Sequence, residues 1–137
     1  MEKEIKITEL DYVRLSKLVS SAKSEKKIEI ENLNALIHEI DRAEKVDSKS
    51  ITPEFVTMNS VLKVFNCSTE KLMTIKIVYP IEADYKKGFI SILSPLGSAL
   101  LGYRVGDIVK YEAPKGKVEI TIRSIDYQPE SQGEYLV

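Results

Sequence analysis

A chain of 137 residues in which 20 lysines and arginines nearly balance 21 aspartates and glutamates has room for one or two small domains, and no net field draws it to nucleic acid or an anionic membrane. One cysteine, Cys67, excludes an internal disulfide and, with one histidine, His38, falls short of the ligand set of a zinc site built from this chain alone. The longest charge-free stretch, residues 88–103, is interrupted by Pro95, Gly97 and Gly102 and is too short for a membrane helix of roughly 20 apolar residues, while MEKEIKITELD lacks the apolar run of a secretory signal; the expectation is a cytoplasmic protein.

Glycine and proline are absent from residue 8 to about residue 45, where apolar residues recur at helical spacing. Thr8 is placed to cap a first helix, with Asp11 three residues on in the position of a capping-box acid. Tyr12, Leu15, Val19 and Ala22 follow at steps of three and four, with Leu18 widening the stripe. Ile30, Leu33, Ile37 and Ile40 repeat the pattern in a second helix, flanked by Leu36 and Ala43. Two matching stripes predict an antiparallel hairpin turning near residues 20–27, with arms of about 15 residues and about 22 Å. Both stripes are satisfied within the hairpin, which favours a monomer.

The segment DSKSITPEF, with Pro53, stops the helices, and from Ser60 onward the period changes to two. A strand near residues 61–65 turns at FNCSTEKL into another in which Met73, Ile75, Ile77 and Tyr79 alternate with Thr74, Lys76 and Val78. Val118, Ile120 and Ile122 face one way, whereas Ile125 and Tyr127 are out of phase by one residue, which predicts a bulge near Arg123 or Ser124. EAPKGK places Pro114 and Gly116 at the second and fourth positions of a type I turn joining two strands. The expectation is an α+β chain: a short helical hairpin over residues 1–48, then an antiparallel sheet domain with one short helix over residues 49–137.

Residues 97–102 spell G-x-x-x-x-G, the opening of a phosphate loop, but Tyr103 and Arg104 stand where such a loop needs Lys and Ser or Thr. The local chemistry favours a packed helix instead. Ser94 caps it, Pro95 takes the first position, Leu96, Ala99 and Leu100 share a face, and Gly102 ends it. Gly106 and Asp107 then turn into the next strand. An esterase elbow is absent, and no spacing joins His38 to Cys67 as a nucleophilic dyad. The carboxylate pairs Glu29 with Glu31, Asp41 with Glu44 and Glu82 with Asp84 read as solvated faces, as do the doublets Lys26–Lys27 and Lys86–Lys87. No catalytic, cofactor or metal residue is assigned.

The stretch SPLGSALLGYRVGDIVKYEAPKGKVEITI resembles the C-terminal domain of the bacterial transcript-cleavage factors of the Gre family, and VTMNS, VYP and YQPESQGEYLV are similar to its Rnk-type branch. The resemblance implies an FKBP-like sheet domain behind the hairpin and bacterial RNA polymerase as the partner, docked at the rim of the secondary channel. It places the polymerase contact at Ser94, Pro95, Leu96, Gly97 and Leu100. Longer Gre hairpins carry two acidic residues at the tip that help hold a catalytic magnesium. Here the tip reads Lys23, Ser24, Glu25, Lys26, Lys27, with no adjacent acidic pair. The implied protein is therefore not an enzyme but a regulator that competes with Gre-type factors. Two alternatives stand beside this one. An FKBP-like prolyl isomerase is disfavoured by the absence of Trp and by only three Phe. Regulation of nucleoside diphosphate kinase, which the Rnk-type resemblance also implies as a direct action, fits better as an indirect effect through transcription.

Overall fold

The apolar stripes of the N-terminal third form helices because nothing in them interrupts the backbone ladder, and those helices meet along the stripes. The computed structural model describes residues 4–25, 30–113 and 116–135. Helix α1 spans Glu9–Glu25 and α2 spans Ile30–Arg42, about 26 and 20 Å long at 1.5 Å per residue. Leu15, Val19 and Ala22 of α1 and Leu33, Leu36 and Ile40 of α2 are buried. The second stripe is centred one step from where its spacing suggests, since Leu36 is in the core and Ile37 sits at its margin.

Two three-residue strands, β1 (Lys6–Thr8) and β2 (Glu44–Val46), pair in parallel at the base of the hairpin. Their brevity leaves no period to read in the sequence. The base is tied to the rest of the chain by Lys6 N, which donates to Gly102 O at 3.1 Å.

The second part is a five-stranded sheet of β3 (Val61–Asn66), β4 (Lys71–Val78), β5 (Phe89–Ser91), β6 (Ile108–Ala113) and β7 (Gly116–Tyr127), in the order β5-β4-β3-β7-β6. The expected antiparallel sheet is corrected in one respect, because β4 and β5 run parallel. Single 3-10 turns at Pro80–Glu82 and Tyr85–Lys87 carry the chain back between them, so a crossover replaces a hairpin. The register of β3 on β7 shifts between Lys63 and Val64, opposite Ser124 and Ile122, which leaves Arg123 as the predicted bulge; a second shift lies between Val61 and Leu62. Asn66 Oδ1 closes the β3–β4 turn by accepting from Ser68 N and Thr69 N. Strands β6 and β7 are paired from Ile108 with Thr121 to Ala113 with Gly116. Pro114 and Lys115, on which the predicted type I turn depends, lie outside the described residues.

Helix α3 (Pro95–Leu100) follows β5 and packs against β6 and α2. One continuous apolar cluster runs from Leu15 and Leu36 of the hairpin through Leu100 and Leu101 to Leu62, Ile77, Ile120 and Ile122 of the sheet.

Candidate docking surface

Ser94 enters α3 with extended backbone, and its Oγ accepts from Gly97 N at 3.1 Å while donating to Ser91 O at 2.7 Å. Pro95 takes the first turn, where its missing N–H costs nothing. The helix ends at Leu100 with Leu101 as its cap, and Gly102 just beyond, with a φ of +85° that suits glycine, donates its N–H to Val56 O. A six-residue helix that starts with a serine cap and a proline has little propensity of its own. Its position comes from packing. An ideal Cβ on Gly97 would lie 2.2 Å from Ser91 O, so α3 rests directly on the backbone after β5.

That close approach sorts the five residues assigned to polymerase contact. Gly97 and Leu100 are buried, Leu100 completely, and present no surface to a partner. The expectation of Gly97 as a contact residue is corrected: the glycine serves helix-on-strand packing. Ser94, Pro95 and Leu96 are half-buried and form the outer corner.

Beside this corner lies a groove of about 710 Å³ between α2, α3 and β6, lined among others by Ala35, His38, Pro95, Ala99 and Tyr111. His38 is exposed on its α2 wall, while Cys67 is half-buried in the β3–β4 turn, with Sγ 3.8 Å from Thr121 Oγ1. Burial, then the neighbouring Tyr85, raises the Tyr111 hydroxyl pKa, so it remains a neutral hydrogen-bonding group at the groove. The end of α2 is fixed to the turn after α3 by Arg42, which pairs with Glu39 Oε2 at 2.8 Å and donates to Tyr103 Oη at 3.1 Å. Helix, turn and groove are thereby held as one surface.

A second polar junction, unforeseen in the sequence, joins the hairpin to the sheet. Thr8 Oγ1 caps α1 by accepting from Asp11 N at 3.0 Å, as expected. The Asp11 carboxylate, however, accepts from Met58 N through Oδ2 at 3.1 Å, bridging 47 residues of sequence. Burial pushes the Asp11 pKa up to about 6 against the lowering effect of the Met58 hydrogen bond; Glu130 raises it further, while Arg14 and Thr8 lower it. Met58 lies in VTMNS, where Thr57 N donates to Ser60 Oγ and Asn59 adopts a φ of +68°. Thr57 Oγ1 in turn donates to Glu130 Oε1 at 2.7 Å, and Gln128 Nε2 donates to Thr52 O and Phe55 O, both at 2.8 Å. VTMNS is thus bonded both to Asp11 of α1 and to Glu130 of YQPES. A capping-box aspartate carries no local sign of such a distant partner.

Of the carboxylate pairs, Asp84 accepts from Lys86 N to cap a 3-10 turn, and Lys45 Nζ donates to Asp41 O. Glu29 lies outside the described residues, as do Lys26 and Lys27 of the tip; Lys23, Ser24 and Glu25 continue the backbone of α1 to its end. Among the described residues, no three His, Cys, Asp or Glu side chains are grouped to hold a metal, and no helix is long and apolar enough to cross a membrane.

Residues 51–127 match the family described as "Transcription elongation factor, GreA/GreB, C-term", and residues 3–46 match "Rnk N-terminus". The chain belongs to the GreA/GreB family. Within it, this Rnk-type chain is 36% identical over 105 residues to the "Regulator of nucleoside diphosphate kinase" of Escherichia coli K12, covering 76% of this chain and 77% of that protein. It is 37% identical over 99 residues to the "Transcription elongation factor GreA" of Pelobacter propionicus, covering 72% of this chain but only 61% of that GreA. The structure of the GreA/GreB transcription elongation factor from Nitrosomonas europaea is 34% identical, with a TM-score of 0.72 over 92% of this chain and all of that one. The family resemblance carried by SPLGSALLG and VTMNS is correct, and so is the α+β architecture.

Proposed function

We propose that this Rnk-type chain is a regulator that docks on bacterial RNA polymerase at the rim of the secondary channel, competes there with Gre-type factors and does not promote transcript cleavage. In this reading residues 1–48 form a short coiled-coil hairpin, residues 49–137 an FKBP-like globular part, and the molecule acts as a cytoplasmic monomer. The observation that carries it is the hairpin. Arms of 17 and 13 residues extend about 26 and 20 Å, and Lys23 to Lys27 contain no adjacent acidic pair. A finger of that length and sequence lacks the means to present a magnesium-holding carboxylate pair inside a partner. Docking through Ser94, Pro95 and Leu96 leaves a steric mechanism, in which occupancy follows concentration and affinity.

The test is competition for core polymerase against a GreA-type factor. Wild type displaces the competitor, and Pro95→Arg, at a half-buried corner, weakens displacement at least about tenfold. Stalled elongation complexes incubated with the protein keep full-length RNA. Undiminished binding by Pro95→Arg removes the contact corner, and shortened RNA removes the non-cleaving role. Pull-down with purified nucleoside diphosphate kinase, expected to be negative, separates the action on polymerase from a direct one on the kinase.

A further inference from the structure

Strand β6 is the last strand of the sheet and is paired on one side only, with β7. The phase of its ladder is fixed by Ile122 N, which donates to Asp107 O at 3.0 Å. Hydrogen-bonded pairs alternate along an antiparallel ladder, so Val109 and Tyr111 turn their backbone groups to β7, and Ile108, Lys110 and Glu112 turn theirs outward. An independent contact agrees. Glu119, opposite Lys110, gives its carbonyl to Cys67 N on the far side of β7. Among the described residues, no hydrogen bond satisfies the outward amides and carbonyls of residues 108, 110 and 112.

This open edge is not free-standing. The groove beside α2 is lined by four consecutive residues, Val109 to Glu112, whose side chains alternate between the two faces of the sheet. A cavity that touches all four borders this strand, against which α3 also packs. Its far wall is the exposed surface of α2 at Ala35 and His38, and Ala99 contributes a small apolar side chain. An edge strand facing a helix across a groove fits an extended segment, with backbone bonds supplying affinity and alternate side chains supplying selectivity.

We propose that the β6 edge is a strand-addition site that takes an extended segment of a partner protein with a basic-apolar-acidic-apolar alternation, antiparallel to β6. Charge complementarity defines that occupant. Lys110 and Glu112 project from the outer face, exposed, and ask for an acid and a base two residues apart. Strand β7 shows the pattern β6 accepts on its other side: Lys117 opposite Glu112, Val118 opposite Tyr111, Glu119 opposite Lys110 and Ile120 opposite Val109, with Lys110 Nζ 3.8 Å from Glu119 Oε1. The site stands whether or not the corner at Pro95 meets polymerase.

The probe is a synthetic peptide, GKVEIT, copying residues 116–121, titrated into the full chain and followed by amide spectra and hydrogen exchange. Binding protects the amides of Ile108, Lys110 and Glu112 and leaves the β6–β7 ladder in place. N-methylation of the peptide at its Lys or Glu amide, which face β6, lowers affinity at least about tenfold, whereas methylation at Val or Ile does not. The K110E/E112K variant reverses the preference toward the charge-swapped peptide GEVKIT. Absence of binding up to about 1 mM, methylation effects that ignore position, displacement of β7, or occupation of the edge by a second copy in sedimentation would each overturn the proposal.

Discussion

At Gly97 the chain has no room for a side chain, because the position a Cβ would occupy is 2.2 Å from a backbone oxygen that cannot swing aside. Gly97→Ala must lift α3 off Ser91, and it is expected to cost on the order of 3 kcal/mol in denaturant unfolding. Wild-type stability of that variant would show that α3 is not seated where its glycine requires. Asp11 makes a different demand. Its pKa is raised in the folded chain to about 6 from an ordinary value of 3.8, so between those values the folded state holds more protons than the unfolded state. Stability contributed by this residue is therefore greatest below the window and falls as pH rises through it, by about 3 kcal/mol in total at 1.36 kcal/mol per unit. Asp11→Asn removes the titration, so the difference in stability between variant and wild type should widen in the variant's favour from pH 4 to about pH 7. A pH-independent difference would contradict the burial of this carboxylate.

At the scale of elements, α3 shows how little a short helix owes to propensity. One turn and a half of backbone is capped by Ser94 at one end and by Leu101 N donating to Gly97 O at the other, with Leu100 driven into the core between them. Ser94 Oγ both accepts from Gly97 N and donates to Ser91 O, so Ser94→Ala is expected to lower stability by about 1–2 kcal/mol, at the upper end for a cap. Ser94→Asp, which keeps the acceptor, should recover part of that loss in thermal unfolding. The cap, the proline and the closing glycine were all legible as a local pattern. The burial of Gly97 was not, because it depends on what lies beneath the helix rather than on anything within it.

At the scale of the whole molecule, one apolar cluster joins the hairpin to the sheet, and Asp11, Met58, Thr57 and Glu130 form a polar seam across the same junction. Removing the sheet and the VTMNS segment that leads into it would leave Leu15 and Leu36 without part of their cover and Asp11 without its backbone donor. The hairpin and the sheet are therefore expected to unfold together. Helical far-ultraviolet dichroism and the near-ultraviolet signal of the tyrosines should trace coincident transitions. Separate midpoints would show that the seam contributes little.

The periodicities of residues 8–45 and 60–127 were enough to determine two helices, the main strands, the bulge at Arg123 and the fold class, because side-chain burial repeats at the step of the local backbone. The short tip without paired acids is likewise a property of the sequence alone. Only tertiary structure decided the parallel pairings of β1 with β2 and β4 with β5, since three-residue strands carry no period and pairing direction depends on how the connection crosses. It also decided that Asp11 serves a distant amide, that Gly97 is interior, and that the unpaired side of β6 faces a helix across a groove. Each of these depends on which groups remote in sequence become neighbours, and local patterning carries no record of them.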